Sequence, residues 1–245
     1  MLRDEILPMA LPFFYTQQLH TGSLVLDEVT SKHIAGVLRM KVGEAVRLTD
    51  GNGTKAEAMI ADDNRKRCTV HVTAITTEPE RTPRVSIAIS LLKNAARFEW
   101  FLEKATEIGV AEIMPLLCER TERTAFRHDR MQTILISAML QSQQCRLPVL
   151  REPLKFDQLL KTAQQDNRFI AHCLPQQKQS LYELLKKKGD SSLMLIGPEG
   201  DFTTGEIAQA LQQHFLPVTL GDTRLRTETA GIVAAAWLCN VEAGM

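Results

Sequence analysis

The chain has 245 residues, of which 44% are apolar, and its 29 basic side chains balance 29 acidic ones. This length and composition can supply a sizeable core for one large domain or for two ordinary ones. The balanced charge argues against a protein that coats nucleic acid through bulk electrostatics.

Five cysteines lie far apart in the sequence, without a C-x-x-C pair or a His-rich segment. We therefore expect reduced, buried thiols and no metal site. No apolar run approaches the ~20 residues that are needed to span a bilayer. Asp4, Glu5 and Pro8 also stand where a signal peptide needs a basic and then an apolar stretch. The sequence thus favours a cytoplasmic protein with no membrane segment.

The amino-terminal part is predicted to form a small β-barrel over residues ~11–78, after an irregular extension at residues 1–10. A hairpin is indicated where two apolar runs flank Asp50-Gly51-Asn52-Gly53, because these residues tolerate positive φ. The predicted elements are strands at Ser23–Leu26, Ala45–Thr49, Thr54–Ile60 and Arg67–Ile75 and a short helix at Ser31–Leu38.

A proline-bearing segment follows the barrel. Glu78-Pro79-Glu80-Arg81-Thr82-Pro83 interrupts helical and strand periodicity alike, since each proline lacks an amide donor and restrains the residue before it. We place the domain boundary here, which gives domains over residues 1–78 and 84–245.

Beyond the boundary, strands and helices alternate, which predicts a parallel sheet with helices on both faces. Apolar residues recur at helical spacing from Phe98 to Ile108, and Gly109 is placed to end that helix. The other predicted elements are strands at Val85–Leu91, Ile113–Leu117, Phe169–Leu174, Leu193–Ile196 and Val218–Leu220 and helices at Arg130–Cys145, Ile207–Gln213 and Thr227–Val241.

Basic residues are concentrated in one part of the chain. Residues 81–151 carry eleven basic and seven acidic side chains, so 11 − 7 gives +4, whereas each flanking segment has 9 − 11 = −2. Arginine suits bidentate phosphate contacts, so this excess indicates either an RNA contact or a solvated helix face. The arginines concerned are Arg120, Arg123, Arg127, Arg130, Arg146 and Arg151.

Two segments that follow short apolar strands are candidates for ligand binding, because ligands collect at the carboxyl ends of strands in α/β sheets. Gly197-Pro198-Glu199-Gly200 lets a backbone approach a flat ligand closely, although such a tetrapeptide also forms ordinary strand-to-helix turns. The second segment runs from Leu220 to Ala230 (LGDTRLRTETA). Helix capping explains Thr227 and Glu228, but it does not explain Arg226 at the positive end of a helix dipole.

Motifs for dinucleotide binding, nucleoside triphosphate binding and α/β-hydrolase chemistry are absent from the sequence. A structural or solvent-exposed role is favoured for the scattered histidines His33, His71, His128, His172 and His214. His172 is the best candidate for another role, because it stands at the predicted end of a strand.

The two segments GPEG and LGDTRLRTETA resemble those of the 16S ribosomal RNA uridine N3-methyltransferases, the small-subunit methyltransferase E type of the SPOUT superfamily. His33–Gly43 (HIAGVLRMKVG) is similar to the family's segment in a PUA-like barrel, and Phe98–Pro115 is similar to its first catalytic helix and second strand. The four segments occur in the family's order. The resemblance therefore spans nearly the whole chain.

The resemblance implies a PUA-like β-barrel RNA-binding domain, followed by a SPOUT-type α/β domain tied in a trefoil knot. It also implies a homodimer, with S-adenosyl-L-methionine bound in the knot loops. The cofactor-binding residues that it implies are His172, Leu174, Pro175, Leu195, Ile196, Gly197, Pro198, Gly200, Leu220, Gly221, Leu225, Arg226, Thr229 and Ala230.

The implied reaction is methylation of uridine N3 in 16S ribosomal RNA or in the small ribosomal subunit. Arg226 and Glu228 are expected to be catalytic, with Arg226 stabilising negative charge on the uracil and Glu228 acting as a base or orienting its neighbours. The residues expected to contact RNA are Arg39, Arg120, Arg123, Arg127, Arg130 and Arg146.

This chain departs from the family pattern at Pro12, Leu140, Gln144 and Asp201, the last of which replaces a second glycine after GPEG. Most of these departures concern RNA contacts rather than the fold or the cofactor. Two alternatives therefore stay open. One is a SPOUT methyltransferase that acts on another RNA site, such as a ribose 2′-hydroxyl, and the other is a noncatalytic RNA-binding ribosome assembly factor.

Overall fold

The computed structural model of the chain describes residues 11–185 and 189–240, so the predicted extension over residues 1–10 lies outside the described residues. The chain divides into two compact units. One holds the residues up to Pro79 together with Gln143–Arg146, and the other holds Glu80–Ser142 and the residues from Leu147 onward. The boundary predicted from the sequence places Gln143–Arg146 in the second domain, whereas the contacts of this segment group it with the first unit.

The first unit is built on a five-stranded sheet of order β1-β3-β4-β5-β2, in which only the pairing of β1 with β3 is parallel. Its core is formed by the inward-facing apolar residues of these strands and of the helical segment. The elements are β1 (Phe13–Tyr15), β2 (Gly22–Val25), α1 (Glu28–Lys32), a π-helix (His33–Val37), β3 (Ala45–Thr49), β4 (Thr54–Asp62) and β5 (Thr69–Thr77).

The predicted hairpin is formed by β3 and β4. Gly51 and Gly53 have φ values of 75° and 93° in the turn. The Asp50 carboxylate accepts hydrogen bonds from the amides of Asn52 at 2.8 Å and of Thr54 at 3.2 Å, which closes the turn locally.

The predicted helix at Ser31–Leu38 begins earlier in the structure, because Asp27 caps α1 by accepting from the Thr30 amide at 2.9 Å. Its second half is a π-helix, His33–Val37. Arg39 then follows with a φ of 56°, on the left-handed backbone that reverses the chain.

Backbone pairing explains why Gln143–Arg146 belongs to the first unit. The Gly53 amide donates to the Cys145 carbonyl at 2.8 Å, and the Arg146 Nη1 donates to the Asn52 carbonyl at 3.1 Å. Gln143 has a φ of 59°, so the predicted helix at Arg130–Cys145 ends four residues early, at Gln141.

The second unit is a parallel sheet of order β11-β13-β10-β12-β6-β7-β8, with β9 also paired to β7. Its elements are β6 (Arg84–Ser90), α2 (Ala95–Ile108), β7 (Glu112–Leu117), α3 (His128–Gln141), β8 (Val149–Leu150), β9 (Leu154–Lys155), α4 (Phe156–Thr162), β10 (Asn167–Ala171), β11 (Gln179–Ser180), α5 (Leu181–Leu184), β12 (Ser191–Ile196), α6 (Thr204–Gln212), β13 (Leu216–Thr219) and α7 (Thr227–Cys239).

Both faces of this sheet are buried, as in parallel sheets generally. Alternate residues of β12 show this, since Met194 packs with residues of α2, α3 and α7, whereas Leu193 and Leu195 pack with residues of α4 and α6. The sequence therefore predicts the three-layer architecture correctly. Strand β10 ends at Ala171, three residues before its predicted end, so His172 begins a loop.

The small residues of α7 pack inside the chain. A Cβ at Gly231 would lie 2.7 Å from the Phe101 ring and 3.0 Å from the Ile89 side chain. Ala234 and Ala235 are also fully buried. The small-residue face thus contacts the core of its own unit. The predicted helix end at Val241 lies outside the described residues.

In the part of the chain that the structure describes, no helix is long and apolar enough to cross a membrane. Nor do the described residues bring three or more His, Cys, Asp or Glu side chains together as a metal site.

Candidate functional site

A cavity of about 710 Å³ lies where the carboxyl ends of β10, β12 and β13 meet. Loops that follow the three strands line it, together with the start of α7 and Arg97 of α2. Neighbouring parallel strands end at the same edge of a sheet, which is why loops distant in sequence converge here. The cavity lies wholly within the second unit.

Nine of the predicted cofactor residues line this cavity: His172, Ile196, Gly197, Pro198, Leu220, Gly221, Leu225, Arg226 and Ala230. Five do not. Leu195 is buried in the core that the sheet forms with α4 and α6, and Leu174 packs against that core. Pro175 and Gly200 lie on the cavity's loops and Thr229 lies on α7, but these three residues do not line the cavity.

Several lining residues were not predicted from the sequence. They include Arg97, Cys173, Lys178 and Asp201, whereas Glu199 lies within the predicted GPEG segment. Arg97 carries no local signal, since it stands early in an ordinary helix. The others adjoin predicted positions, so extending each candidate segment by a few residues finds them.

The GPEG loop is held by packing beneath it and by polar contacts at its end. A Cβ at Gly197 would lie 3.0 Å from the Phe202 ring, so the glycine lets this buried ring pack under the loop. The Glu199 carboxylate accepts from the Lys93 amide at 3.1 Å, and the Arg120 Nη1 donates to the Gly200 carbonyl at 2.7 Å. The loop is therefore fixed from both sides.

Asp201 joins two of the cavity loops. Its Oδ2 accepts from the Cys173 amide at 2.8 Å, and its Oδ1 accepts from the Phe202 amide at 2.8 Å. Its φ is 64°, in the left-handed region.

His172 is the most enclosed polar side chain of the cavity wall, with 6% of its surface exposed. Neither ring nitrogen has a hydrogen-bond partner among the described residues. Burial lowers the pKa of His172, and the nearby Lys178 ammonium lowers that pKa further. The Lys178 ammonium itself donates to the His172 carbonyl at 2.7 Å. The ring is therefore neutral near pH 7 and has polar atoms left for a ligand.

The third loop leads into α7. Gly221 has a φ of 122°, and Thr219 closes the turn by donating to the Gly221 carbonyl at 2.8 Å. Arg226 is the N-cap residue of α7 and is exposed at the cavity wall.

Glu228 is placed differently from Arg226. It is 7% exposed, and it does not line the cavity. Its Oε1 lies 3.6 Å from the Nε of Arg97, while no described residue hydrogen-bonds its buried Oε2. The acid thus holds Arg97, and it is Arg97 that reaches the cavity.

The predicted RNA-contacting arginines differ in their surroundings. Arg130 forms two hydrogen bonds with Glu99, at 2.6 and 2.8 Å, and this pairing lowers the pKa of Glu99, with smaller contributions from Arg127 and Arg123. Arg146 donates to carbonyl groups of the first unit, Pro79 among them, which supports a structural role. Arg39, Arg123 and Arg127 are exposed.

A family model described as an RNA methyltransferase domain matches residues 79–239. The chain belongs to the RNA methyltransferase family. A second model, described as an RNA methyltransferase PUA domain, matches residues 26–73. The methyltransferase match contains the whole cavity wall.

Solved structures and curated relatives of this RNA methyltransferase agree with that assignment. A probable rRNA-methyltransferase from Porphyromonas gingivalis is 38% identical, with a TM-score of 0.88 over 95% of this chain and 99% of that chain. A ribosomal RNA small subunit methyltransferase E from Neisseria gonorrhoeae, bound to S-adenosyl methionine, is 29% identical, with a TM-score of 0.83 over 92% of this chain and 95% of that chain.

The Synechocystis protein named ribosomal RNA small subunit methyltransferase E is 28% identical over 226 residues, which are 90% of this chain and 74% of that protein. Together these similarities confirm the predicted family and fold class, a SPOUT-type α/β methyltransferase domain with an amino-terminal PUA-like domain.

Proposed function

We propose that this chain is an S-adenosylmethionine-dependent methyltransferase that acts in the cytoplasm on N3 of a uridine in 16S ribosomal RNA. The observation that carries the proposal is the cavity at the carboxyl ends of β10, β12 and β13, where Arg226 stands in a wall of mixed apolar and polar side chains. Relatives at 28% and 29% identity that are named small subunit methyltransferase E support the choice of RNA.

The cavity fits S-adenosylmethionine in size and in chemistry. Its volume of about 710 Å³ falls within the range of small-molecule sites. Ile196, Val218 and Leu220 offer apolar surface to an adenine ring, while the two ring nitrogens of His172 are buried polar atoms that a ligand can satisfy. We assign cofactor binding to the predicted residues that line the cavity, with Lys178 added to them.

S-adenosylmethionine supplies an electrophilic methyl group when it is bound. The protein must then favour loss of the uridine N3 proton to solvent water, because only the deprotonated nitrogen is a good nucleophile. Arg226 at the cavity wall is placed to stabilise negative charge on the uracil carbonyls. Arg97, Lys178 and Arg224 add further cations to the same wall.

Glu228 fits a positioning role better than the role of a base. Its carboxylate is buried behind the cavity wall and contacts Arg97, so it orients a cation that faces the substrate. A general base must reach the proton that it removes, directly or through one water molecule. Glu228 lies outside the lining, and we therefore propose Arg226 as the indispensable side chain.

The proposed RNA contacts are Arg39 in the PUA domain and the exposed pair Arg123 and Arg127 near the start of α3. These guanidinium groups are open to solvent and suit phosphate oxygens. Arg120 and Arg130 hold the Gly200 carbonyl and Glu99, so any phosphate contact from them competes with these bonds.

A homodimer is part of the proposal, and its support now comes from the outer face of α7. From Ala230 onward the helix is apolar on every side, and Ile232, Val233, Ala236 and Trp237 are only partly buried. A helix that is apolar all round is normally covered on every side. A second copy of the chain would cover this face, and sedimentation at working concentration measures whether it does.

The central test incubates the purified protein with S-adenosylmethionine carrying a labelled methyl group and with small ribosomal subunits or naked 16S RNA. Mass mapping of the RNA should place the label on the base of one uridine, at N3. A label on a ribose 2′-hydroxyl would contradict the base assignment, and cofactor binding without methyl transfer would favour the noncatalytic assembly factor.

The role of Arg226 is tested by Arg226→Ala. Loss of one preorganised donor should lower turnover by roughly 10²-fold or more and leave cofactor affinity nearly unchanged. Higher pH should partly restore turnover by deprotonating uracil in solution. Arg84→Ala is the control, because Arg84 is exposed at the amino end of β6, away from the cavity. Near-normal turnover in Arg226→Ala would reject the role.

A further inference from the structure

The cavity loops at the ends of β10 and β12 are joined by one side chain, that of Asp201. Its two carboxylate oxygens accept from the amides of Cys173 and Phe202, each at 2.8 Å. Cys173 lies two residues beyond the end of β10, and Phe202 lies beneath the GPEG loop that follows β12. The carboxylate therefore sets the spacing between two segments of the cavity wall.

The backbone conformation of Asp201 indicates that the side chain is present because of this link. Its φ of 64° lies in the left-handed region, where glycine is the least strained residue. Its amide donates to the Pro198 carbonyl at 2.9 Å and closes the turn without help from the side chain. Glycine would shape this turn with less strain, so what aspartate adds is its local bond to the Phe202 amide and its bond to the Cys173 amide across the loops.

We propose that Asp201 is a positioning residue for cofactor binding, which holds the loop bearing His172 and Cys173 against the GPEG loop. This inference rests on the proposed function, since it assumes that S-adenosylmethionine occupies the cavity. With the link in place, the two walls are preorganised before the ligand arrives. Without it, binding must order the loops, and affinity falls while the chemical step is unchanged.

Two substitutions separate the link from the turn. Asp201→Gly removes both acceptors but suits the left-handed backbone, so the melting temperature should not fall. Asp201→Asn keeps the shape and one acceptor, but its amide group opposes the other N–H. We expect the dissociation constant for S-adenosylmethionine to rise by about tenfold in Asp201→Gly and by less in Asp201→Asn.

The matched control is Asp166→Gly. Asp166 makes the same kind of link, since its Oδ2 accepts from the amides of Asp190 and Ser191, each at 3.0 Å. It stands at the amino ends of β10 and β12, however, at the opposite edge of the sheet from the cavity. Its loss should lower the melting temperature and leave cofactor affinity unchanged.

Calorimetry with S-adenosylmethionine and kinetics on 16S RNA are run on all four proteins. We expect Asp201→Gly to bind the cofactor more weakly, with a raised KM for the cofactor and an unchanged kcat at saturation. Wild-type affinity in a folded Asp201→Gly variant would overturn it, and so would an affinity loss of the same size in Asp166→Gly. A wild-type protein that does not bind S-adenosylmethionine would instead overturn the proposed function.

Discussion

Substitution of Gly231 by alanine tests how the last helix is used. The added Cβ would meet two atoms of the Phe101 ring at 2.7 and 2.9 Å and the Ile89 Cδ1 at 3.0 Å. Both neighbours are fully buried, so neither can move aside into solvent. Because close-packed interiors resist even one added methyl group, α7 must shift from α2 and β6 or the ring must leave its rotamer.

Overpacking of this kind costs about 1–3 kcal/mol, and the better helix propensity of alanine returns up to about 1 kcal/mol of that. A net loss of ~1–2 kcal/mol should lower the melting temperature of a domain of this size by roughly 2–8 °C. Urea unfolding should show a lower midpoint with an unchanged slope, because the same surface is exposed in both proteins.

Gly205→Ala is the matched control, since Gly205 also lies in a helix of the second unit. A Cβ there would approach only the Thr203 Oγ1, at 3.8 Å, which is an ordinary contact. This variant should be as stable as the wild type or slightly more stable. Unchanged stability in Gly231→Ala would refute the packing argument. If the variant kept its stability but sedimented with a smaller mass, we would instead place Gly231 at a contact between subunits.

Three further predictions follow from the site. Burial lowers the pKa of His172 below its ordinary value of 6.5, so the unfolded chain binds more protons than the folded chain as the pH falls through that value. His172→Gln should therefore lose less stability than the wild type as the pH falls below 6.5. Parallel loss in both proteins in thermal melts would contradict this. Replacing Arg123 and Arg127 by alanine should weaken RNA binding and flatten its salt dependence by up to about two phosphate contacts; an unchanged slope would favour a solvated face. Gly197→Ala should lower the melting temperature, because its Cβ would meet a buried ring at 3.0 Å. Gly200→Ala should not lower it, because its Cβ would meet only a flexible side chain at 3.4 Å. Equal melting temperatures for the two variants would contradict this prediction.

Local patterns predicted the elements whose ends are set by their own residues. The β3–β4 hairpin is closed by Asp50 and by glycines at positive φ, and α2 ends at Gly109 with a φ of 99°. These signals act over a few residues, so they can be read without the fold. The alternation of strands and helices also predicted that the strands of the second unit are parallel.

Elements that depend on distant partners could not be predicted. Strands β8 and β9 have two residues each, and they are strands only because β7 offers them edges for pairing. The early end of α3 has a similar cause, since the chain after Gln141 turns away to pair with Gly53. No sequence pattern near residue 141 predicts that contact.

The candidate site shows the same division. Glycines and charges beside apolar strands predicted the segments that form the cavity, but not which side of each residue faces it. Gly197 was expected to make room for a ligand, and the structure shows it making room for Phe202. Gly200 lies outside the lining, with Arg120 beside it. The segment is therefore predictable from sequence, whereas the role of each glycine depends on what packs below it.

Glu228 is a residue whose role depends on its partner in the fold. Capping and proton transfer both require a carboxylate near the helix start, and the sequence could not choose between them. The structure shows no side-chain hydrogen bond capping α7, and it pairs the acid with Arg97 across two helices. A buried carboxylate is costly unless it is paired, and Arg97 is the cation that pairs with Glu228. The pair ties the start of α7 to the start of α2, and these are the two helices that bring Arg226 and Arg97 to the cavity. The acid therefore contributes to the site by holding Arg97 at the wall that Arg226 also lines.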